Sequence, residues 1–257
     1  MRLICLACEA LARPAYACAA ISPHMVDIVL VPRHLHQPAE IRARLQGLVD
    51  AAEGQGYGAV ALAFGLCGQA TAGLAARSIP LILSRAHDCI TLYLGSRARY
   101  NQEVAKEPGT YWYAQDYIER NRGETAALAM GQGSEADMLS LYEHYIQKYG
   151  KAKADRLMEV MDEWRSHYKR AVYLDTGLGD ASAVEEEARG EAERRNWIFE
   201  YLQADLNLIC RLMNGEWDSD FLVVPPGRAI GMSYDEEIIK VEERAYRGDR
   251  EARRGKE

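Results

Sequence analysis

Four short apolar runs, separated by stretches of helical pattern, occupy the first ninety residues and leave the chain few folds to choose from. LICLA (3–7), VDIVLVP (26–32), YGAVALAFG (57–65) and IPLILSR (79–85) read as buried strands. A small-residue helix is expected from Glu9 to Ala20. PAEIRARLQGLVDAAEGQG (38–56) has apolar positions at helical spacing and a glycine stop, and TAGLAARS opens a third helix. Strands that alternate with helices pair in parallel through right-handed crossovers. The expected fold is therefore α/β, with a parallel, doubly wound, Rossmann-like sheet.

The pattern changes after residue 90. Residues 90–107 read as helical, and GTYWYAQDYIERN as an aromatic turn and helix. An amphipathic segment from Ser134 to Arg170, broken at Gly150, predicts two antiparallel helices. AVYLDT (171–176), IFEYLQ (198–203) and DFLVVPPG (220–227) read as strands of a second, smaller α/β lobe. The predicted division is a first lobe at 1–120, a helical insert at 121–170, a second lobe at 171–235 and a charged, helical tail at 236–257.

Parallel sheets bind ligands beyond the carboxyl ends of their strands, where loops and helix N-termini face one crevice. Each of the four predicted strand ends carries a cysteine or a histidine: Cys8-Glu9, His34 and His36, Gly65-Leu66-Cys67-Gly68, and Arg85-Ala86-His87-Asp88-Cys89. Topology would gather Cys8, Cys67 and Cys89 on one rim, with His87 beside them. Soft thiolates with an imidazole suit zinc or an iron–sulfur cluster rather than magnesium or calcium. Three thiolates from separate loops are the ligand count of a 4Fe–4S cluster with one open iron. His87-x-Cys89 resembles the short pair that zinc enzymes use to activate substrate thiols. A metal-free thiol enzyme, with Cys67 as nucleophile and His87 as its base, is the third chemistry. Cys5, Cys18 and Cys210 read as core thiols. Six cysteines in 257 residues are too sparse for a disulfide scaffold, so all are expected to be reduced.

Ala7-Cys8-Glu9, GLCG (65–68), RAHDCITLYLGSRARY (85–100) and EPGTYWY (107–113) together resemble the family of domain of unknown function 1638, over about residues 3–120 and more weakly as far as DFLVVPPG. The resemblance implies a cysteine after the first strand, one in a glycine-containing loop and one in a His-Asp-Cys segment, which fall on Cys8, Cys67 and Cys89. A leucine-histidine element falls on Leu35-His36. Some members resemble neighbours of corrinoid-dependent methyl transfer systems, which implies one-carbon chemistry and a corrinoid, or a corrinoid protein, as partner.

Cys8, Cys67, His87 and Cys89 are thus the expected metal ligands, and Glu9, His36 and His87 the proton-handling neighbours. Arg85, Tyr111 and Tyr113 are expected to line the cofactor crevice. Arg97 would offer charge or an internal ion pair, and Gly177-Leu178-Gly179-Asp180 a weak phosphate turn with Asp175 or Asp180 as an acid-base residue. The expected activity is metal-dependent transfer to a thiol or of a methyl group on a small-molecule substrate. A non-catalytic metal- or corrinoid-binding accessory protein is the rival. A net charge of −7, with 38 acidic against 31 basic residues, excludes nucleic acid as partner. No apolar run approaches the roughly 20 residues that span a bilayer. Glu9 and Arg13 interrupt the opening segment, which argues against a signal peptide, so the chain reads as cytoplasmic. A monomer and a homodimer fit it equally.

Overall fold

The computed structural model describes residues 1–32, 38–120, 142–143, 145–147, 149–165 and 167–243. The chain divides into two units, one formed by 1–97 with 205–257 and the other by 98–204. This differs from the division at 120, 170 and 235 read in the sequence.

The first unit is built on a five-stranded sheet in the order β2-β1-β3-β4-β8. It comprises β1 (Arg2–Cys8), β2 (Met25–Val31), β3 (Ala59–Ala63), β4 (Leu81–Ser84) and β8 (Phe221–Val224). The first four run parallel, as their apolar runs require, while β8 pairs antiparallel with β4. DFLVVPPG therefore completes the first sheet and is no part of a second lobe. Alternate residues of a strand face opposite sides, and Leu3, Cys5, Ala61 and Ile82 are as fully buried as Leu6, Val60, Leu62 and Leu81. Against the second set lie Leu45 and Val49 of α2 (Pro38–Ala51), four residues apart on one helical face. The unit is thus mixed α/β with a mostly parallel sheet.

The helix expected from TAGLAARS does not form. Residues 71–78 run as turns and extended chain, and their backbone groups are taken by a hairpin of β9 (Ala229–Met232) and β10 (Ile239–Glu242). Gly73 N donates to Ile230 O, Ile230 N to Leu74 O, and Ala76 N to Arg228 O, at 2.6, 2.9 and 2.9 Å. A distant partner that satisfies these groups removes the need for a helix. The same hairpin spans residues 229–242, so the tail from 236 to 242 is turn and then strand where a helix was expected.

Two further helices, α1 (Ala12–Ile21) and α8 (Asn207–Asn214), are joined by a Cys18–Cys210 disulfide with Cα atoms 4.7 Å apart. This corrects the expectation of six reduced thiols. The two cysteines lie 192 positions apart, and periodicity cannot reveal a pair of that separation.

The second unit holds a three-stranded parallel sheet, β5 (Thr110–Ala114), β6 (Arg170–Asp175) and β7 (Ile198–Gln203), in that order. β5 was read as a turn, but its five consecutive buried residues are those of a covered strand. Its other helices are α4 (Arg97–Lys106), whose first residue belongs to the first unit, α5 (Gln115–Glu119), α6 (Lys151–Arg165) and α7 (Ser182–Arg195). Val184, Ala188 and Ala192 of α7, spaced by four, bury against Tyr111, Tyr113, Ala171 and Tyr173. Among the described residues no helix is long and apolar enough to cross a membrane.

Candidate thiol site at the sheet rim

Strand order in the first sheet reverses between β1 and β3, because the chain leaves β1 toward β2 on one side and continues through β3 and β4 on the other. Loops at the carboxyl ends of two such strands diverge and leave a crevice. Cys8 is the last residue of β1, and Cys67 lies four residues beyond β3. Cys89 opens α3 (Cys89–Leu94), which follows the loop after β4. None of the three is in a disulfide, and as residues all three are partly exposed.

The three loops are braced to one another. Leu66 N donates to Ala86 O and Cys67 N to His87 O, both at 2.8 Å. Asp88 caps α3, its carboxylate accepting from Ile90 N at 3.0 Å and Thr91 N at 3.3 Å, which fixes Cys89 as the first helical residue. From α3, the buried Tyr93 hydroxyl donates to Ala10 O in the loop after β1. Arg42 of α2 donates to Gln69 O at 2.7 Å and holds the far side of the Cys67 loop. Within that loop Cys67, Gly68 and Gln69 have φ of 46°, 61° and 76°, so two residues other than glycine occupy the left-handed region.

Each sulfur feels its neighbours. Burial pushes the Cys67 thiol well above the ordinary range, and the charges of Cys8 and Asp88 push it further, against hydrogen bonds with the backbone of Gly65 and Cys89. Cys89 is raised by burial and then by Cys67, Asp88 and Cys8. The Asp88 carboxyl is itself raised, since burial outweighs its two cap bonds and the pull of His87. Cys8 and Asp88 therefore disfavour ionisation of both Cys67 and Cys89, and Cys67 disfavours that of Cys89. Where the side chains now stand, no group of three or more His, Cys, Asp or Glu residues among those described is disposed to hold a metal ion. The donor set fits a soft cation in kind, and its sulfurs must turn toward a common centre to hold one.

The other expected residues fare differently. Glu9 follows Cys8 directly and is half-buried, and His87 stands exposed on the same rim. His34 and His36 lie outside the described residues. Arg85 is committed elsewhere: its Nη1 donates to Glu237 O at 3.1 Å and to Ile239 O, and pairs with the Glu237 carboxylate at 3.1 Å, pinning the β9–β10 hairpin. Arg97 likewise donates to Glu236 O at 2.7 Å. Tyr111 and Tyr113 belong to the second unit, buried in an aromatic core where Tyr111 meets Tyr168 and Trp197 at 5.3 and 5.4 Å. In the GLGD turn, Gly177 and Gly179 have φ of 68° and 84°, and Asp175 and Asp180 accept from Gly177 N and Ser182 N. Sequence reasoning missed Asp88, Gly65, Arg42 and Tyr93. Asp88, Gly65 and Tyr93 sit in the quoted motifs, while nothing local marks Arg42.

A family model described as a protein of unknown function, DUF1638, matches residues 30–213. The match begins after Cys8 and covers the whole of the second unit. No curated protein and no solved structure matches the chain.

Proposed function

The chain belongs to the DUF1638 family, whose description names no chemistry, and we propose from its own residues that it holds a soft metal ion or iron–sulfur cluster on Cys8, Cys67 and Cys89 and acts on a thiol or one-carbon group. The observation that carries this reading is that three cysteines outside any disulfide, from three separate loops, meet at the point where strand order reverses. We read the first unit as a variant of the doubly wound sheet, with its ligand where such sheets take one.

The electrostatics favour a cation over a bare thiol nucleophile. A reactive cysteine needs a lowered pKa, whereas burial and like-charged neighbours hold Cys67 and Cys89 up. A bound cation reverses the sign of that neighbourhood, because thiolates that repel one another are then drawn to a common charge. With three sulfur ligands such a group supplies an open Lewis-acid position. Around it Asp88 fixes the Cys89 loop, and Glu9 and His87 stand at the rim to take up or deliver protons. His36 and a corrinoid partner belong to this proposal through the family resemblance alone.

The test is elemental analysis and a visible spectrum of anaerobically purified protein, before and after reconstitution. The reading expects either one zinc per chain in colourless protein, or iron with acid-labile sulfide in brown protein. A Cys67→Ser, Cys89→Ser double variant should lose it. Full retention of the metal by that variant, or no metal uptake by the parent chain, overturns the proposal. Metal without turnover on methyl donors would make this a carrier instead of an enzyme.

A further inference from the structure

The two loops that bring Cys67 and Cys89 together touch backbone to backbone at Gly65. A Cβ built there would fall 2.5 Å from Asp88 N, 2.6 Å from Asp88 Cα and 2.9 Å from the Asp88 carbonyl carbon. The tip of a flexible side chain can swing away from such an overlap, but backbone cannot. Gly65 is buried, and its φ is not among those in the left-handed region. Space, and not conformational freedom, is what asks for glycine here. The contact continues through the two 2.8 Å hydrogen bonds of Leu66 and Cys67 and so ends at Cys67 itself. On its other side the Gly65 carbonyl accepts from the buried Thr71 hydroxyl at 3.2 Å, which closes the Cys67 loop on its own stem. Asp88, the residue that meets Gly65, is also the cap that fixes Cys89.

We infer that Gly65 is a positioning residue for the thiol site: its missing side chain sets the separation of the β3 and β4 loops, and so the separation at which Cys67 and Cys89 are presented to a shared ligand. The inference rests on the proposed three-thiol site and adds what determines its spacing. An added methyl must move the Asp88 backbone outward, and Cys89 moves with it because the cap ties the two together.

The test uses the full chain, metal-free, with its disulfide intact, and two probes. Phenylarsine oxide is a trivalent arsenical that captures a pair of adjacent thiols, whereas iodoacetamide reports each thiol singly. The parent chain should bind the arsenical at a site mapped to the rim cysteines. Gly65→Ala should weaken that capture about tenfold or more, the scale of overpacking a close contact, while iodoacetamide rates at Cys67 and Cys89 stay within about twofold. Thr71→Val keeps side-chain shape, loses the bond to Gly65 O, and should weaken capture by roughly two- to tenfold, the worth of one hydrogen bond. It decides the matter if Gly65→Ala does not fold. Gly47→Ala, where a Cβ meets nothing within 4 Å, should change nothing. Unchanged capture in Gly65→Ala, or in Thr71→Val when the former is unfolded, overturns the inference while leaving the site intact. A parent chain that captures no arsenical overturns the three-thiol reading itself, and the positioning role with it.

Discussion

Cys67 combines a left-handed backbone, a thiol held protonated and a place between two braced loops. A side chain in that region costs of order 1–2 kcal/mol and persists only where its surroundings fix it. The raised thiols make a pH prediction for the metal-free protein. Alkylation needs the thiolate, so the rates at Cys67 and Cys89 should still be rising beyond about pH 10, where an ordinary thiol with a pKa of about 8.5 has levelled off. Mass-spectrometric mapping of iodoacetamide labelling against pH checks this, and a half-maximal rate near pH 8.5 would contradict it. The sign for stability follows. Both thiols have folded pKa values above their unfolded ones, so the fold is undisturbed by them below about pH 8.5 and loses stability as pH climbs toward the folded values. Cys5, buried in the core and pushed up to about 12, should stay unlabelled while the protein is native. The cysteines themselves could be read from the sequence, since each rim cysteine ends or closely follows a strand that an apolar run announces. The braces could not, because Tyr93 reaches Ala10 across 83 positions.

At the level of elements, the strands β1 to β4 and the helices α1 and α2 follow from local periodicity, and so do β6 and β7. Elements whose form depends on a distant partner were misread. β8 looks like any other buried strand, and nothing within FLVV says whether it lies beside β4 or β7. Residues 71–78 have helix-forming composition but give their hydrogen bonds to a hairpin more than 150 positions away. That hairpin offers a test, because Arg85 donates to two of its carbonyls, on Glu237 and Ile239. Arg85→Met should cost roughly 1–3 kcal/mol, the worth of hydrogen bonds from a charged donor, and strip amide-exchange protection from 229–242 before the rest of the sheet. Equal protection in both proteins would mean that the hairpin holds without it. In the second unit, Arg170 at the start of β6 is 2% exposed and bonds Glu103 of α4 and Glu200 of β7, each at 2.5 Å. Burial pulls the Glu103 carboxyl up, but Lys106 and Arg170 more than offset it and hold it below its ordinary value. Arg170→Met leaves the buried Glu103 carboxylate with Lys106 but without Arg170, and should destabilise the second unit by about 3 kcal/mol, the low end for breaking a buried pair, read from chemical denaturation. A loss below about 1 kcal/mol would show that the cluster is screened as a surface pair is.

For the molecule as a whole, the chain enters the first unit, leaves it at Arg97 and returns at Asp205. Length and alternation announced two α/β units, yet where one interrupts the other was not legible, because the returning segment reads as a continuation of the strands before it. The Cys18–Cys210 bond ties the departing stretch to the returning one. Chain-entropy reasoning for a closed loop of that length gives about 5 kcal/mol of stabilisation. Reduction with a phosphine should therefore lower the melting temperature by about 10 °C or more, and a shift below about 2 °C would assign the bond no such part.

The same linkage decides how the protein withstands a protease. A single cut anywhere from Ala98 to Ala204 severs the backbone but not the covalent path through the sulfurs, so both fragments stay one molecule. Such a nicked chain would run as a single band on a non-reducing gel and fall into two only when thiol is added. A break within the second unit thus leaves the two parts of the first unit, before and after it in the chain, covalently joined.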